Sequence, residues 1–363
     1  MIENIKLDML TIKFKGEKEM KKTILTFVLL FISIILTACQ FGNVGTDKVI
    51  TVYTERHYDT DQLLYDRFTE LTGIGVNLIR DDADKLITRM DNEGEDSPAD
   101  ILIIADAGRL HRAKEMDLFQ SVTSDILSDN VPNQYKDPNN FWYGLTMRAR
   151  VFVYHPERVN VSDLSTYEDL TDPKWEGRII TRTSTNIYNQ SLMSSMIEIM
   201  GEEAARAWAT GLVQNFARDP QGNDRDQAKA VVSGVADLAI MNTYYIGRMI
   251  NSSDPYEVEV GETVRIFFPN QDTTGTHINV SGAGVAKHSK NVDEAIQLIE
   301  FLTSEEAQKS YADANFEYPI NPAVEPHDLL KSWGSFKAQD IPLSKLGEHS
   351  VLAIIIMNEI GWK

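Results

Sequence analysis

Two adjacent tyrosines, Tyr244 and Tyr245, stand where the apolar run 235–241 meets Asn242 and Thr243. The run is typical of a strand, and either Asn242 or Thr243 can cap a helix that follows it. Within a continuing strand the two tyrosine side chains would point to opposite faces, but at a strand-to-helix turn both phenols can face one crevice. Because phenolate is a hard anionic oxygen donor, such a cluster suits a hard cation such as Fe(III). The alternative for the pair alone is an aromatic plug beneath a loop.

Tyrosines also stand at two other predicted element ends. His57 and Tyr58 follow the predicted first strand, and α/β folds bind ligands at the carboxyl ends of their strands. Tyr188 falls in the first turn of a predicted helix for which Ser184 or Thr185 is the candidate cap. A loop that leads into a helix N-terminus is a common rim for a ligand site. The alternatives are a solvated His-Tyr turn and an aromatic ring packed on its own helix.

The N-terminal residues have the pattern of an export signal. Met20 and two lysines precede the uncharged, apolar run 23–36, which is short for a membrane span. The tetrad Leu-Thr-Ala-Cys that ends at Cys39 resembles the lipobox of bacterial lipoproteins, in which the cysteine carries lipid. We therefore predict a leader and signal peptide over 1–38, with the true start at Met20, and a lipidated Cys39 at the head of a tether over 39–47. An uncleaved membrane anchor is the alternative.

Composition narrows the classes of partner. The chain has 363 residues, 42% of them hydrophobic, which suits about two soluble domains. With 54 acidic and 35 basic residues the formal net charge is −19, which argues against binding to nucleic acid or to an anionic membrane surface. The same charge is compatible with a cationic ligand. Cys39 is the only cysteine, so the mature protein is expected to contain no disulfide.

Predicted strands and helices alternate along the first part of the chain, as in an α/β fold with a parallel sheet. Asp59 and Thr60 are candidate caps for the first helix, and the continuously apolar run 100–104 is typical of a buried parallel strand. The alternating segment 141–154 is long enough to pass between two lobes, so we predict a hinge strand there and a return crossing at 277–286. The predicted lobes comprise 48–149 with 275–325, and 150–274 with 326–363.

No catalytic motif accompanies these elements. The small-residue run 281–284 lacks the third glycine of a dinucleotide fingerprint, and the sequence has no Gly-x-Ser-x-Gly, Gly-Lys-Ser or His-Glu-x-x-His. A secreted enzyme would have to use an acid pair such as Asp224 and Asp226, but their position is typical of a helix N-terminus. We therefore predict a binding protein rather than an enzyme.

Several motifs occur together in one order along the chain. They are the lipobox ending at Cys39, 57–61, 144–151, 172–178, 188–192 and 242–245. In this combination the chain resembles the ferric-iron-binding proteins of bacterial ABC importers, and the resemblance covers nearly all of the mature chain. It implies an α/β, two-lobed type II periplasmic binding protein fold, with crossing strands as the hinge and iron in the interlobe cleft.

The resemblance also implies the site residues. Carried over position by position, it gives iron ligands at Tyr58, Tyr188, Tyr244 and Tyr245, with His57 as a further ligand or a neighbour. Some members of the family add a carboxylate from the first lobe, for which Asp106 is the nearest candidate although its motif does not match closely. Others add an anion such as carbonate, which Arg148 or Arg150 on the hinge strand can hold. The same arginines can instead balance the phenolate charge.

Two functions stay open at this point. The leading hypothesis is a lipid-anchored, extracytoplasmic protein, in the periplasm or on the cell surface, that captures iron and delivers it to an ABC permease with its ATPase. Fe(III) is the expected cargo, Fe(II) is a second candidate, and the protein is expected to be a monomer. The alternative is a type II binding protein for a small organic anion such as a carboxylate or phosphonate. In that case the tyrosines would stack on the ligand and Arg148 would hold its charge.

Overall fold

The structure, a computed structural model, describes residues 48–363. The predicted signal peptide, Cys39 and the tether lie outside that range. Within it, no helix combines the length and the apolar character that crossing a bilayer requires.

Strands and helices alternate through most of the described residues, as the sequence predicts. The strands are β1 (Lys48–Thr54), β2 (Ile74–Arg80), β3 (Ile101–Ile104), β4 (Tyr143–Tyr154), β5 (Ile179–Ile180), β6 (Leu238–Asn242), β7 (Arg265–Phe267), β8 (Ile278–Val285) and β9 (Tyr318–Pro319). The α-helices are α1 (Asp59–Thr72), α2 (Ala83–Glu93), α3 (Ala107–Glu115), α4 (Asp125–Asn130), α5 (Ile187–Met200), α6 (Glu202–Gln214), α7 (Asp224–Val232), α8 (Thr243–Ile250), α9 (Pro255–Thr263), α10 (Val292–Leu302), α11 (Glu305–Asn315), α12 (Asp328–Ser332), α13 (Ser344–Glu348) and α14 (Ser350–Glu359).

The strands form a mixed sheet in the order β2-β1-β3-β8-β4-β6-β5, and β7 and β9 also pair with β4. β1 runs parallel to both β2 and β3, whereas β8 runs antiparallel to β3 and β4. All four residues of β3 are buried, which explains its uninterrupted apolar sequence. The α/β class and the parallel strands of the first lobe are therefore confirmed, with β8 as an antiparallel member.

The predicted hinge strand is confirmed in β4, which is shared by the sheets of both lobes. Its first half, from Tyr143 to Ala149, pairs with β8 of the first lobe. Its second half, from Arg150 to Tyr154, pairs with β6 and β7 of the second lobe. The return crossing lies just before β8, where the Arg150 amide donates to the carbonyl of His277 at 2.9 Å. Two extended segments thus connect the lobes side by side.

Two clusters of buried side chains make up the cores. The larger one fills the first lobe around β1, β3 and α1–α3, and it continues along β4 into the second lobe, where it includes side chains of β6 and α7–α9. The other belongs to the second lobe, where Trp175 and Trp208 pack with side chains of α5 and α14. Trp208 is 4% exposed, as predicted for the apolar face of α6.

The C-terminal segment contacts both lobes. Leu330 and Leu346 join the core of the first lobe, whereas Ile356 and Met357 join that of the second. Helix α13 packs against both α3 and α5, and α14 packs against α5. Assignment of residues 326–363 to the second lobe, like the other lobe boundaries, stays a prediction.

Candidate metal centre

The adjacent tyrosines lie in the first turn of α8, directly after β6. Asn242 is the last residue of the strand and occupies the N-cap position with extended backbone angles, φ −81° and ψ 143°. The ring centroids of Tyr244 and Tyr245 are 4.2 Å apart, with an angle of 30° between the ring planes. The predicted strand-to-helix turn is confirmed, and it brings both rings to the same side of the chain.

Tyr188 reaches the same place from α5, also from a first helical turn. Its hydroxyl oxygen lies 3.2 Å from that of Tyr244, within hydrogen-bond distance. The helix is capped by Asn186, whose side-chain oxygen accepts from the Tyr188 amide at 3.2 Å. The prediction of Ser184 or Thr185 as the cap is wrong, because the helix starts later than the sequence pattern suggests.

Tyr58 approaches this pair from the first lobe, where it follows β1 and precedes α1. Its amide donates to the Asp61 carboxylate at 3.3 Å, so α1 is entered at Tyr58 and the expectation of a cap at Asp59 or Thr60 is wrong. Arg56 Nε in turn donates to Asp61 at 2.9 Å, and both side chains are buried. The end of β1 is therefore fixed by a buried ion pair, and Tyr58 is placed by it.

His57 lies beside Tyr58, with ring centroids 5.1 Å apart. It is the exposed member of the group, whereas Tyr58 is half-buried. Across the described part of the chain no group of three or more His, Cys, Asp or Glu side chains could hold a metal ion. Tyrosine oxygens come together at this place instead, as the Tyr188 and Tyr244 hydroxyls show.

Tyr58, Tyr188 and Tyr244, which come from three separate elements, surround a cavity of about 80 Å3. Its lining comprises Glu55, Arg56, His57, Tyr58, Ala105, Arg148, Tyr188, Tyr244, Ser281 and Glu317. Tyr245 is not among these residues, and its ring packs on Tyr244 instead. Larger depressions occur, such as one of about 570 Å3, but that one is bounded by polar and charged side chains of α2 alone and is open to solvent.

The two hinge-strand arginines have different surroundings. Arg148 lines the cavity, where its guanidinium donates to Ser281 Oγ at 3.3 Å and to the carbonyl of Ala105. Both hydrogen-bond partners are uncharged, and the positive charge of Arg148 acts within the cavity, where it helps to lower the pKa of the carboxyls of Glu55 and Glu317. The guanidinium carbon lies 5.7 Å from the Tyr188 ring centroid.

Arg150 lies behind the cavity rather than in it. It is 2% exposed and donates to the Asp224 carboxylate at 2.8 Å and to Asn189 at 2.7 Å. Its charge is thus balanced by Asp224, which also pairs with Arg182. The suggestion that Arg150 itself holds an anion is not supported by these contacts.

Asp224 and Asp226 do not form an acid pair for catalysis. The buried Asp224 carboxylate is occupied by two arginines. Asp226 belongs to a capping box, in which it accepts from the Asn223 amide at 2.8 Å. Both carboxylates therefore serve the start of α7, as their spacing indicates.

The cleft carboxylate also differs from the one considered in the sequence. Asp106 does not line the cavity, because its oxygens accept hydrogen bonds from Arg109 N, Ser191 Oγ and Asn279 Nδ2. Glu55 and Glu317 line it instead. Glu55 accepts from the amide of Ala105 at 2.6 Å, whereas Glu317 pairs with Arg56 at 3.0 Å. Burial raises the pKa of Glu55 above its ordinary value. The rule that ligands bind beyond strand ends could have found it, since Glu55 follows β1 directly.

A further cation, Arg248, stacks on Tyr58. Its guanidinium carbon is 4.4 Å from the Tyr58 ring centroid, and Arg56 lies at 5.3 Å from the same ring. Arg248 is carried by α8, four residues after Tyr244, so the two side chains share one helix face. That spacing is the signal that could have identified Arg248 from sequence. A side chain of the second lobe thus contacts the tyrosine of the first.

The phenols are held in their protonated form by their environment. Burial raises the pKa of Tyr244 well above its usual value, and the neighbouring Tyr188 and Tyr245 phenolates would raise it further. Burial likewise raises the pKa of Tyr58 and Tyr245. The nearby Arg56 and Arg248 oppose part of the increase at Tyr58. Only a strong cation at the cavity can displace these protons.

Two lobes joined by crossing strands, with the candidate site between them, define a type II periplasmic binding protein. Residues 96–338 match the model of the family described as bacterial extracellular solute-binding protein, and the chain belongs to that family. The protein therefore acts outside the cytoplasm, in the class of substrate-binding proteins.

Similar proteins are found among sequences and solved structures. Iron uptake protein A1 of Synechocystis is 50% identical over 319 residues, which are 88% of this chain and 89% of the relative. A Trichodesmium protein solved in complex with iron and citrate is 47% identical, with a TM-score of 0.84 over 87% of this chain and 100% of that one. A ferric binding protein from Campylobacter jejuni is 42% identical, with a TM-score of 0.83 over 86% of this chain and 100% of that one.

Proposed function

We propose that the protein is the extracytoplasmic iron-binding component of an ABC iron uptake transporter. It captures Fe(III) in the cleft between its lobes and delivers it to a membrane permease that works with an ATPase. The observation that carries the proposal is the approach of the Tyr188 and Tyr244 hydroxyls to 3.2 Å in a cavity that Tyr58 closes from the other lobe. The iron-related relatives support the same cargo.

The proposed iron ligands are Tyr58, Tyr188, Tyr244 and Tyr245, with His57 as a neighbour or a further ligand. The Tyr245 ring lies against Tyr244 and would have to turn toward the cavity to enter the coordination sphere. A free tyrosine has a pKa of about 10, so several phenols ionise together near neutral pH only when a strong cation displaces their protons. Four phenolates on Fe(III) carry one net negative charge, which the guanidinium groups of Arg148 and Arg248, beside Tyr188 and Tyr58, would offset.

Fe(III) fits this donor set better than Fe(II). The lower charge of Fe(II) lowers the pKa of a bound phenol less, so fewer of these buried phenols would ionise. Arg148 is the group placed to hold a small anion such as carbonate beside the iron, because its hydrogen-bond partners are uncharged. Ferrous binding and a synergistic anion are accordingly secondary parts of the proposal.

The size of the cavity favours a metal ion over the alternative organic anion. Pockets for small organic ligands commonly have volumes of about 300–1,000 Å3. The present cavity is about 80 Å3, which suits an ion with one or two waters or a small anion. Its walls also hold three phenols from separate elements, a donor set that a carboxylate or phosphonate does not need.

Delivery depends on the location and conformation of the protein. We include in the proposal that Cys39 carries lipid and anchors a monomeric protein at the outer face of a bacterial membrane. Because the ligands come from both lobes, iron binds the closed state better than the open one and shifts the population toward it. The closed form is then what the permease recognises.

The test is a visible absorption titration of the purified protein with Fe(III)-citrate. We expect a saturable phenolate-to-iron charge-transfer band at one iron per chain. A variant with both Tyr244→Phe and Tyr245→Phe should lose or shift the band. Tyr256→Phe is the matched control, because Tyr256 is 47% exposed on α9 and is not part of the cavity lining. No band from a correctly folded protein would contradict the ferric site.

A further inference from the structure

Asp106 takes part in a second contact between the lobes, beside the tyrosine cavity, whose lining includes the preceding residue Ala105. It follows β3 and caps α3, and its side chain is completely buried. One carboxylate oxygen accepts from the Arg109 amide at 2.7 Å. The other accepts from Ser191 Oγ and from Asn279 Nδ2, both at 2.7 Å. Two of these donors belong to the first lobe, whereas Ser191 belongs to the second.

Ser191 uses its hydroxyl in both directions. Its hydrogen goes to Asp106, and its oxygen accepts from Asn279 Nδ2 at 2.8 Å. Asn279, in β8, is itself held by the amide of Ala107, which donates to Asn279 Oδ1 at 2.9 Å. Ser191 and Asn279 are 3% and 4% exposed, so water does not compete for these hydrogen bonds. The hydrogen bonds among Asp106, Ser191 and Asn279 therefore fit one relative position of the two lobes.

The two sides of this contact are anchored in different cores. Helix α5, which carries Ser191, packs through Leu192 and Met193 in the core of the second lobe. The chain around Asp106 continues from Ile104 into the core of the first lobe. The hydrogen bond between Ser191 and Asp106 therefore joins the two lobes directly.

We infer that Asp106, Ser191 and Asn279 form an interlobe latch that positions Tyr188 in the closed conformation. Ser191 lies three residues after Tyr188, so both side chains are on one face of α5. The latch holds the first turns of this helix against the first lobe, which carries Tyr58. The inference rests on the proposed function, because it assigns the latch a role in retaining iron.

The chemistry of the latch makes it reversible. When the lobes open, Asp106 keeps the Arg109 amide and Asn279 as donors, so its negative charge stays stabilised by the first lobe. Ser191 then exchanges both the Asp106 carboxylate and the Asn279 amide for water. Loss of the hydrogen bond to the charged group alone corresponds to about a tenfold change in an equilibrium constant. Ser191 and Asp106 are thus positioning residues that strengthen closure without preventing release.

The decisive comparison is between Ser191→Ala and Ser195→Ala. Both serines are buried in α5, but Ser195 Oγ donates to the carbonyl of Leu192 in its own helix. We expect Ser191→Ala to bind one iron with a charge-transfer band at the unchanged wavelength and to release it to an excess of chelator about tenfold faster. Ser195→Ala should release iron within about twofold of the unmodified rate. Equal release rates in the two variants would overturn the latch.

A second measurement separates the latch from the iron site. We expect the metal-free protein to exchange between open and closed forms, and the latch to stabilise the closed fraction. X-ray scattering of the metal-free variants should therefore give a larger radius of gyration for Ser191→Ala than for Ser195→Ala. If the unmodified protein shows no iron band, the proposed function fails, and the scattering result alone decides about the latch. Equal radii in that case would overturn it as well.

Discussion

At the scale of single residues, the candidate site is a set of buried phenols that hold their protons until a cation arrives. The pKa values of Tyr58, Tyr244 and Tyr245 are all raised, chiefly by burial. A raised phenol pKa means that these three tyrosines are uncharged near pH 7 in the metal-free site. Proton release is then part of iron binding, and the nearby Arg148 and Arg248 have to offset the charge that develops.

We expect iron affinity to fall as the pH is lowered. The sign follows from competition, since protons and iron bind the same oxygens and the phenols are protonated before iron enters. Each tyrosine that becomes a ligand releases one proton, so about three to four protons should appear per iron bound. A pH-stat titration with Fe(III)-citrate, corrected with a protein-free blank, measures this number. Release of fewer than two protons per iron would contradict a tyrosinate site.

Arg248 should contribute to affinity although it is not a proposed ligand. Its charge lies 4.4 Å from the Tyr58 ring centroid, so Arg248→Met should weaken iron binding about tenfold. Arg248→Lys should recover part of the loss, because lysine keeps the charge but not the planar stacking of guanidinium. Competition against a chelator measures both variants. An unchanged affinity in Arg248→Met would show that the stack has no electrostatic role.

At the scale of elements, each proposed ligand stands at the start of a helix, and this could be predicted from the sequence. The apolar run before Asn242 and the position of Tyr188 in a first turn identified the strand-to-helix junctions. What the sequence could not predict is the set of side chains behind them. The partners Arg150 and Asp224 are 74 residues apart, and their pairing depends on how β4 and α7 pack. The same holds for Asp106, whose neighbours come from distant segments.

The pair formed by Arg150 and Asp224 should be important for stability. Arg150 contacts α5 through Asn189, and the Asn242 amide donates to Asp224 at 3.1 Å, so the pair supports both tyrosine-bearing helices. Arg150→Met leaves a buried carboxylate with Arg182 alone and should lower the free energy of unfolding by about 3–5 kcal/mol. Urea denaturation of the metal-free protein measures the change.

A surface arginine gives the control for that experiment. Arg206 pairs with Glu202 and Glu359 at the surface, where solvent weakens ion pairs. Arg206→Met should therefore leave the free energy of unfolding nearly unchanged. If Arg150→Met were no more destabilising than Arg206→Met, the buried pair would have no stabilising role.

At the scale of the whole molecule, the two lobes contribute unequally to the site. Tyr188, Tyr244 and Tyr245 all come from the second lobe, while Tyr58 is the one proposed tyrosine ligand that the first lobe supplies. The hinge of β4 was predictable because segment 141–154 is long and alternating, and the crossing before β8 was predictable as the strand that returns the chain to the first lobe. The lobe boundary near the C-terminus was harder to predict, because α13 packs against helices of both lobes.

Because the first lobe supplies only one proposed tyrosine ligand, a single substitution at Tyr58 can separate iron binding from closure of the lobes. Tyr58→Phe keeps three tyrosines on the second lobe, so it should still bind iron and give a charge-transfer band, but with lower affinity. It should not close fully, because iron would then have too little differential affinity for the closed state. X-ray scattering should show a smaller radius of gyration on adding iron to the unmodified protein and little change in Tyr58→Phe.

Tyr318→Phe is a suitable control in the first lobe, since the Tyr318 hydroxyl has no hydrogen-bond partner within the described residues. Full closure of Tyr58→Phe with iron would mean that contacts such as the Asp106–Ser191 hydrogen bond, rather than coordination by both lobes, bring the lobes together.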